Sequence, residues 1–214
     1  MKEKAGAAEI FLRSWQVYQD IIEHNYMFHR EISAAAQQAL SNFKPNQPLR
    51  ILDLGCGDAS MILPLLNADR INNYVGCDLS QPALDIAHTH LNAQGIHHKL
   101  ICDDMVRVAA EQAAESFDMV FSSYALHHLN AIDKHQIVES VSRVLAPEGR
   151  FILIDIFREP FEDRAAYMRH YMSKLKDSWD NLSPEAQSLV INHATEYDFP
   201  ENSEFYQTLC EKIG

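Results

Sequence analysis

The stretch that most constrains this chain is Arg50–Ser60, Arg-Ile-Leu-Asp-Leu-Gly-Cys-Gly-Asp-Ala-Ser. Ile51, Leu52 and Leu54 form a short apolar run that suits a buried strand. The run breaks at Gly55 and Gly57. Met61, Ile62, Leu65 and Leu66 then follow a helical spacing, with Pro64 tolerated near its start. A strand that turns through glycines into a helix presents free backbone N–H groups and a positive helix end beside the turn. Neither glycine carries a Cβ, so a ligand has room to press against the main chain there. Asp53 sets a carboxylate beside the turn, which suits a ligand with positive charge. A dinucleotide fingerprint, Gly-x-Gly-x-x-Gly, wants a third glycine where this chain has Ser60.

The 214 residues suffice for one large domain or a domain with an appendage. Hydrophobic content of 47% and charged content of 22% are those of a globular protein. A formal net charge of −12 repels polyphosphate and disfavours nucleic acid as a partner. No apolar stretch approaches the ~20 residues of a membrane span, and the first residues lack the apolar core of a secretion signal. A cytoplasmic protein is expected. The four cysteines are too scattered for a disulfide framework. Eleven histidines raise the question of a metal. None forms a helical His-x-x-x-His pair or a zinc-type Cys/His spacing, so no metal site is expected.

Along the chain, Ile10, Phe11, Trp15, Tyr18, Ile21, Ile22, Met27, Phe28, Ile32 and Leu40 carry a helical pattern that Pro45 and Pro48 end. Within it Tyr18, Tyr26, His29 and Arg30 form a polar-aromatic set. Tyr74–Asp78 reads as a second strand ending in an acid. Asp78 lies at the distance from Gly57 where a doubly wound fold places its ribose-binding carboxylate. A helix through Ala83–Leu91 stops at Gly95, a good cap. His98–Cys102 reads as a third strand, ending in Asp103, Asp104 and Met105, and Phe117–Ser123 as a fourth, running into Tyr124 and the doublet His127-His128. Ile132–Leu145 is an amphipathic helix. Pro147-Glu148-Gly149 forms a turn before a strand over 150–157. The tail reads as helices over 162–179, 186–197 and 203–213, with Ser183 and Pro184 opening the second.

Taken together, Asp53-x-Gly55-x-Gly57, Asp78, the Asp103–Met105 segment, Ser122–Leu129 and the run Leu145–Asp155 resemble the ordered motifs of class I S-adenosylmethionine-dependent methyltransferases of the small-molecule type. The resemblance covers about half the chain, from Arg50 to Phe157. It implies an α/β fold, a doubly wound Rossmann-like parallel sheet in the order 3-2-1-4-5, with the ligand at the switch point between the first and fourth strands. It implies S-adenosyl-L-methionine as cofactor, and methyl transfer to an oxygen, nitrogen or carbon of a small molecule. The cofactor site would comprise Asp53, Gly55, Cys56, Gly57, Asp78, Leu79, Asp103, Asp104, Met105, Ser122, Ser123 and Tyr124. Asp104 is favoured over Asp103 for the adenine amine, because Met105 then supplies the apolar neighbour.

His127 and His128 are the general-base candidates, with no choice between them, and Tyr124 and Asp155 join them. Tyr18, Tyr26, His29, Asp155 and Arg158 are substrate candidates. Arg158, Arg164, Arg169 and Lys174 offer charge for an anionic acceptor, against a solvated charged face as the plainer reading. The implied organisation is a helical cap or lid over 1–47, the cofactor-binding core over 48–157 and a helical specificity region over 158–214. The family's sixth and seventh strands are missing from that tail. Either the sequence is a piece of a longer one, or the sheet ends early with its edge covered. A non-catalytic scaffold or sensor on the same fold, and a nucleotide-cofactor oxidoreductase, are the alternatives. The oligomeric state is left open.

Overall fold

The computed structural model describes residues 17–44 and 47–213. Strands β1 (Leu49–Leu54), β2 (Ile71–Asp78), β3 (His98–Cys102), β4 (Phe117–Ser123) and β5 (Leu145–Ile154) pair in parallel in the order β3-β2-β1-β4-β5. This is the expected doubly wound sheet, and β1 and β4 are neighbours at its switch point.

The helices are α1 (His29–Leu40), α2 (Gln81–Ala93), α3 (Met105–Glu111), α4 (Ala131–Val144), α5 (Arg164–Ser178), α6 (Pro184–Tyr197) and α7 (Ser203–Ile213), with α1 and α2 on one face of the sheet and α3, α4 and α7 on the other. Alternate side chains of a strand point to opposite faces. Leu49 and Ile51 accordingly pack with Leu40 of α1 and Leu84 and Leu91 of α2. Leu52 and Leu54 pack with Val108 of α3, Val138 and Val141 of α4 and Leu209 of α7. A third, smaller cluster joins Val17 and Ile21 to Leu175, Trp179 and Leu182, so the N-terminal segment rests on the C-terminal helices. No helix among the described residues is long and apolar enough to cross a membrane.

Three elements differ from expectation. The N-terminal helical pattern is broken: residues 17–23 are helical, but Asn25 and Phe28 take φ of +57° and +61° before α1 begins. A left-handed residue cannot continue a right-handed helix. Ile10, Phe11 and Trp15 lie outside the described residues. The helix expected after the glycine turn is only a 3-10 turn, Leu63–Leu65. Ala59 at φ +63° and Pro64 interrupt the segment, and Ile62, Leu63, Leu65 and Leu66 reach the core from turns instead. The turn at Pro147-Glu148-Gly149 is absorbed into β5 as a bulge. Phe117 pairs with Leu145 and Met119 with Arg150, and Glu148 takes φ +61°. The tail helices match their expected spans closely, with Ser183 accepting from Ala186 N as N-cap.

Candidate active site

The glycine turn is closed by hydrogen bonds that the sequence did not announce. Gly55 N and Cys56 N both donate to Cys77 O at 2.9 Å, and Gly57 N donates to Asp78 Oδ2 at 2.9 Å. The N–H groups expected to face a ligand are therefore held by β2, and no α-helix end stands behind them. The two glycines serve different ends. A Cβ on Gly55 would lie 2.4 Å from Ala125 Cβ, so the loop after β4 needs that glycine. Gly57, at φ +51°, has nothing within 4 Å of where a Cβ would stand, and its side of the turn is open. Cys56 is buried, and burial pushes its thiol well up, so it packs as an apolar group.

Asp53 sits at the end of β1 with 2% of its surface exposed. Tyr74 Oη donates to its Oδ2 at 2.7 Å, while Oδ1 is buried with no hydrogen-bond partner. Burial raises the carboxyl to about 7; the Asp78 charge adds to the shift and the Tyr74 hydrogen bond opposes it. Asp78, at the end of β2, accepts from Ser80 N through Oδ1 and Gly57 N through Oδ2, both at 2.9 Å. Burial pushes its carboxyl up and those backbone donors pull it back. Leu79 beside it is an exposed apolar side chain. Asp104 caps α3, its Oδ1 accepting from Val106 N at 2.9 Å. Asp103 accepts from Asp104 N and pairs with Arg107, so it braces the cap. Met105 Cε lies 3.5 Å from the Cβ position of Gly55, which brings the end of β3 to the turn.

At the end of β4, Ser122 Oγ donates to Leu54 O at 2.8 Å and ties the two central strands together. Ser123 Oγ is buried without a partner. Tyr124 holds a left-handed backbone at φ +50°, fixed by its N–H to Ile154 O and its hydroxyl to Met27 O. Strain of this kind persists only where the surroundings over-determine it. Burial, with the charge of Asp155, pushes the Tyr124 phenol up, so it remains a hydrogen-bond donor.

The histidine doublet lies outside the lining of the cavity beside Tyr124. His127 is buried, with Nδ1 2.5 Å from Asp155 Oδ1 and Nε2 3.6 Å from Asp198 Oδ1. Burial alone would lower its pKa, but the two carboxylates win and raise it. His128 turns outward, its Nδ1 3.2 Å from Tyr197 O and 3.3 Å from Asp198 Oδ1. Sequence reasoning missed Asp198, which arrives from the tail 70 positions after His128 (198 − 128).

A cavity of about 370 Å³ lies between residues 26–32, α5 and the ends of β4 and β5. Tyr124, Asp155 and Ile156 line it below, and Tyr26, Tyr171 and Trp179 form aromatic walls. Tyr26 stacks on Trp179 at 4.9 Å and accepts from Asn181 N, which ties the two sides of the wall together. Lys174 also lines the cavity, its ammonium 4.7 Å from the Phe28 ring centroid.

Of the substrate candidates, Tyr26 and Asp155 line this cavity. Tyr18 lies instead where the charges of Asp58, Tyr124 and Asp78 act on it, and burial pushes its phenol up. His29 is buried between Tyr18 and Tyr124, 5.0 Å from the latter ring; neither of its nitrogens has a hydrogen-bond partner, and burial lowers its pKa to about 4. Arg158 faces away, tied to Pro200 O, Glu162 O and Glu201. Arg164 likewise grips Asp198 O and Thr195 O. Their charges are committed to holding the tail.

A sheet in this order, with acids at the ends of β1 to β3 converging on a glycine turn, defines the class I methyltransferase fold. A family profile described as a methyltransferase domain matches residues 51–149. Carboxy-S-adenosyl-L-methionine synthase of Actinobacillus succinogenes is 29% identical over 205 residues, covering 93% of this chain and 82% of that protein. Juvenile hormone acid O-methyltransferase of Bombyx mori is 27% identical over 123 residues, which are 56% of this chain and 43% of that one. Among solved structures, an S-adenosylmethionine-dependent methyltransferase from Archaeoglobus fulgidus superposes with a TM-score of 0.57 at 14% identity, covering 87% of this chain and 68% of the other. The cyclopropane synthase MmaA2 of Mycobacterium tuberculosis gives 0.58 at 19% identity, covering 85% of this chain and 59% of that one. Residues 51–149 are thus a methyltransferase domain, and the chain is similar to class I S-adenosylmethionine-dependent methyltransferases, whose cofactor is S-adenosylmethionine. That likeness displaces the oxidoreductase alternative.

Proposed function

We propose that the chain transfers the sulfonium methyl of S-adenosylmethionine to a small molecule seated in the cavity beside Tyr124. One observation carries the reading: the cavity floor is built by the residues that follow β4 and β5, next to the switch point where the acids of the other strands converge. Two features of the turn suit the cofactor. The orphaned, buried Oδ1 of Asp53 matches an ammonium, and the open side of Gly57 leaves space for a ligand against the main chain. In this reading Asp53 holds the ammonium, Asp78 accepts the ribose hydroxyls, Leu79 and Met105 pack on the adenine and Asp104 accepts from its amine. Gly55 and Cys56 shape the turn, and Ser122 fixes the strand beneath it. The cofactor supplies a methyl activated by its bond to a positively charged sulfur.

The base candidates are all engaged elsewhere: His127 faces two carboxylates, His128 bonds Tyr197 O, Tyr124 on the cavity floor donates to Met27 O, and Asp155 accepts from His127 and Ile156 N. Catalysis here rests on alignment and exclusion of water, and the acceptor enters as a ready nucleophile, a carboxylate or an uncharged amine. The aromatic walls favour an acceptor with an apolar body, and Asp155, Glu159 and Glu162 outnumber Lys174 on the same cavity, which disfavours an anionic one. His29, neutral and without a partner on either nitrogen, is the side chain best able to take a hydrogen bond from a ligand near Tyr124. The division into a cap over 1–47, a core over 48–157 and an acceptor-side region over 158–214 is part of the proposal. It is supported by the cap and α5 sharing the cavity walls. The free cysteines among the described residues support a reducing compartment, the cytoplasm.

A second reading draws on the 93% of this chain that aligns with carboxy-S-adenosyl-L-methionine synthase: the cofactor itself would be the molecule modified. One experiment separates the two. The full chain is incubated with S-adenosylmethionine and a panel of aromatic and aliphatic acids and amines, and the cofactor-derived product is weighed by mass spectrometry. S-adenosylhomocysteine together with a methylated acceptor supports methyl transfer. A carboxylated S-adenosylmethionine, with the panel acid that gave up its carboxyl group recovered one CO2 shorter, supports the second reading. Cofactor binding with neither product across the panel returns the chain to the scaffold or sensor class.

A further inference from the structure

Released from the acceptor site, the histidine doublet belongs to another constellation. Asp198 Oδ1 lies 3.3 Å from His128 Nδ1, 3.6 Å from His127 Nε2 and 4.0 Å from His193 Nε2. The donor atoms of His127, His128 and Asp198 all fall within 4.8 Å of one another. Around a four-coordinate ion with bonds of ~2.0–2.1 Å, neighbouring donors stand roughly 3.4 Å apart. The distances to Asp198 Oδ1 start at that spacing, and the wider pairs and His193 would draw in around an ion. Asp198 Oδ1, at its centre, is buried with no hydrogen-bond partner. We propose that His127, His128, His193 and Asp198 bind one divalent transition ion of the zinc class.

The surroundings are those that such ligands need. A metal-bound imidazole commonly donates its other N–H to a carboxylate, which fixes ring and tautomer. His127 does this: its Nδ1 meets Asp155 Oδ1 at 2.5 Å and turns Nε2 toward Asp198. His128 presents Nδ1, which also stands 3.2 Å from Tyr197 O, and the tautomer protonated on Nε2 aims its lone pair at the ion. His193, on α6, is joined to His128 by an edge-to-face ring contact at 5.2 Å. The segment 198–201 is pinned where it passes the doublet. Phe199 N donates to His127 O, the buried Lys134 ammonium donates to Phe199 O, and Arg158 binds Pro200 O and Glu201. Imidazoles with one carboxylate select zinc, nickel, cobalt or copper over magnesium and calcium, which want oxygen. The ion staples the tail to the loop after β4, and through Asp155 it reaches the cavity floor. No local spacing announces it, because the ligands come from two segments far apart in the chain.

The test uses the full chain, stripped with chelator and titrated with Zn(II) against a chromophoric competitor. One equivalent is expected to bind and to raise the melting temperature. In imidazole NMR spectra Zn(II) should shift His127, His128 and His193, and leave His88 and His98 in place. His128→Ala and His193→Ala should each weaken binding at least tenfold, and Asp155→Asn about 10–100-fold. His88→Ala, at the exposed His88–His98 contact, should change nothing. Zn(II) that fails to bind, that shifts His88 and His98 instead, or that binds the His128→Ala/His193→Ala double variant as tightly as wild type would overturn the proposal. The readouts are independent of methyl transfer, so failure here leaves the proposed reaction standing and the reverse also holds.

Discussion

At the scale of single residues, the informative groups are those whose environment conflicts with their chemistry. Asp53 is a carboxyl kept near pH 7 by burial, against an ordinary value of 3.8. A folded-state pKa above the unfolded one means that protonation stabilises the fold. The free protein therefore loses stability as pH climbs from about 4 to 7 and levels off above. An ammonium docking on Oδ1 reverses the preference and expels the proton. Calorimetry at pH 6 in buffers of different ionisation enthalpy should show proton release on cofactor binding, and Asp53→Asn should abolish it. Binding without release would remove the ammonium from that carboxylate. The glycines separate in a similar way. Gly57→Ala meets open space, so its cost to stability is the left-handed backbone alone, about 1–2 kcal/mol, while cofactor affinity falls steeply. Gly55→Ala drives a methyl into Ala125, which adds about 1–3 kcal/mol of overpacking and lowers stability further. Urea unfolding alongside cofactor titration of both variants checks the contrast.

At the scale of elements, most of the architecture was legible because local signals agreed. Strands β3 and β4 and helices α6 and α7 lie where apolar period, caps and glycine stops placed them. Failures came where apolar spacing was served by another geometry. Met61–Leu66 buries side chains from a turn, and the N-terminal pattern hides two left-handed residues that only the fold around them selects. The acid at the end of β3 has two duties that a substitution can pull apart. Asp104 caps α3, a service that serine performs equally well. Asp104→Ser should leave the unfolding midpoint within about 0.5 kcal/mol of wild type by that equivalence, yet weaken the cofactor by removing the carboxylate that takes the adenine amine. Unchanged affinity in that variant would reduce Asp104 to a cap.

At the scale of the whole molecule, the acceptor cavity exists because residues 26–32 and 155–179 meet beside the ends of β4 and β5. Sequence signals name Tyr26 but cannot name its partner, since Trp179 stands 153 positions away (179 − 26). A separation of 70 positions (198 − 128) likewise hid Asp198 from His128. Trp179 is 3% exposed, stacks on Tyr26 and packs with Val17, Ile21 and Leu175 in a cluster separate from the two that cover the sheet. Trp179→Ala empties the centre of that small core, and a buried tryptophan is worth about 3–5 kcal/mol against alanine. The loss should stay local, because the sheet clusters share no residue with it. Hydrogen exchange should accelerate in residues 17–28 and in α5 and α6, while β1 and β4 keep their protection. Cofactor affinity should hold and the Michaelis constant for the acceptor should rise, since the wall that fails belongs to the acceptor alone. Exchange that quickens evenly across sheet and cap would mean that the cap and the core unfold as one unit, and that the cavity has no independent lid.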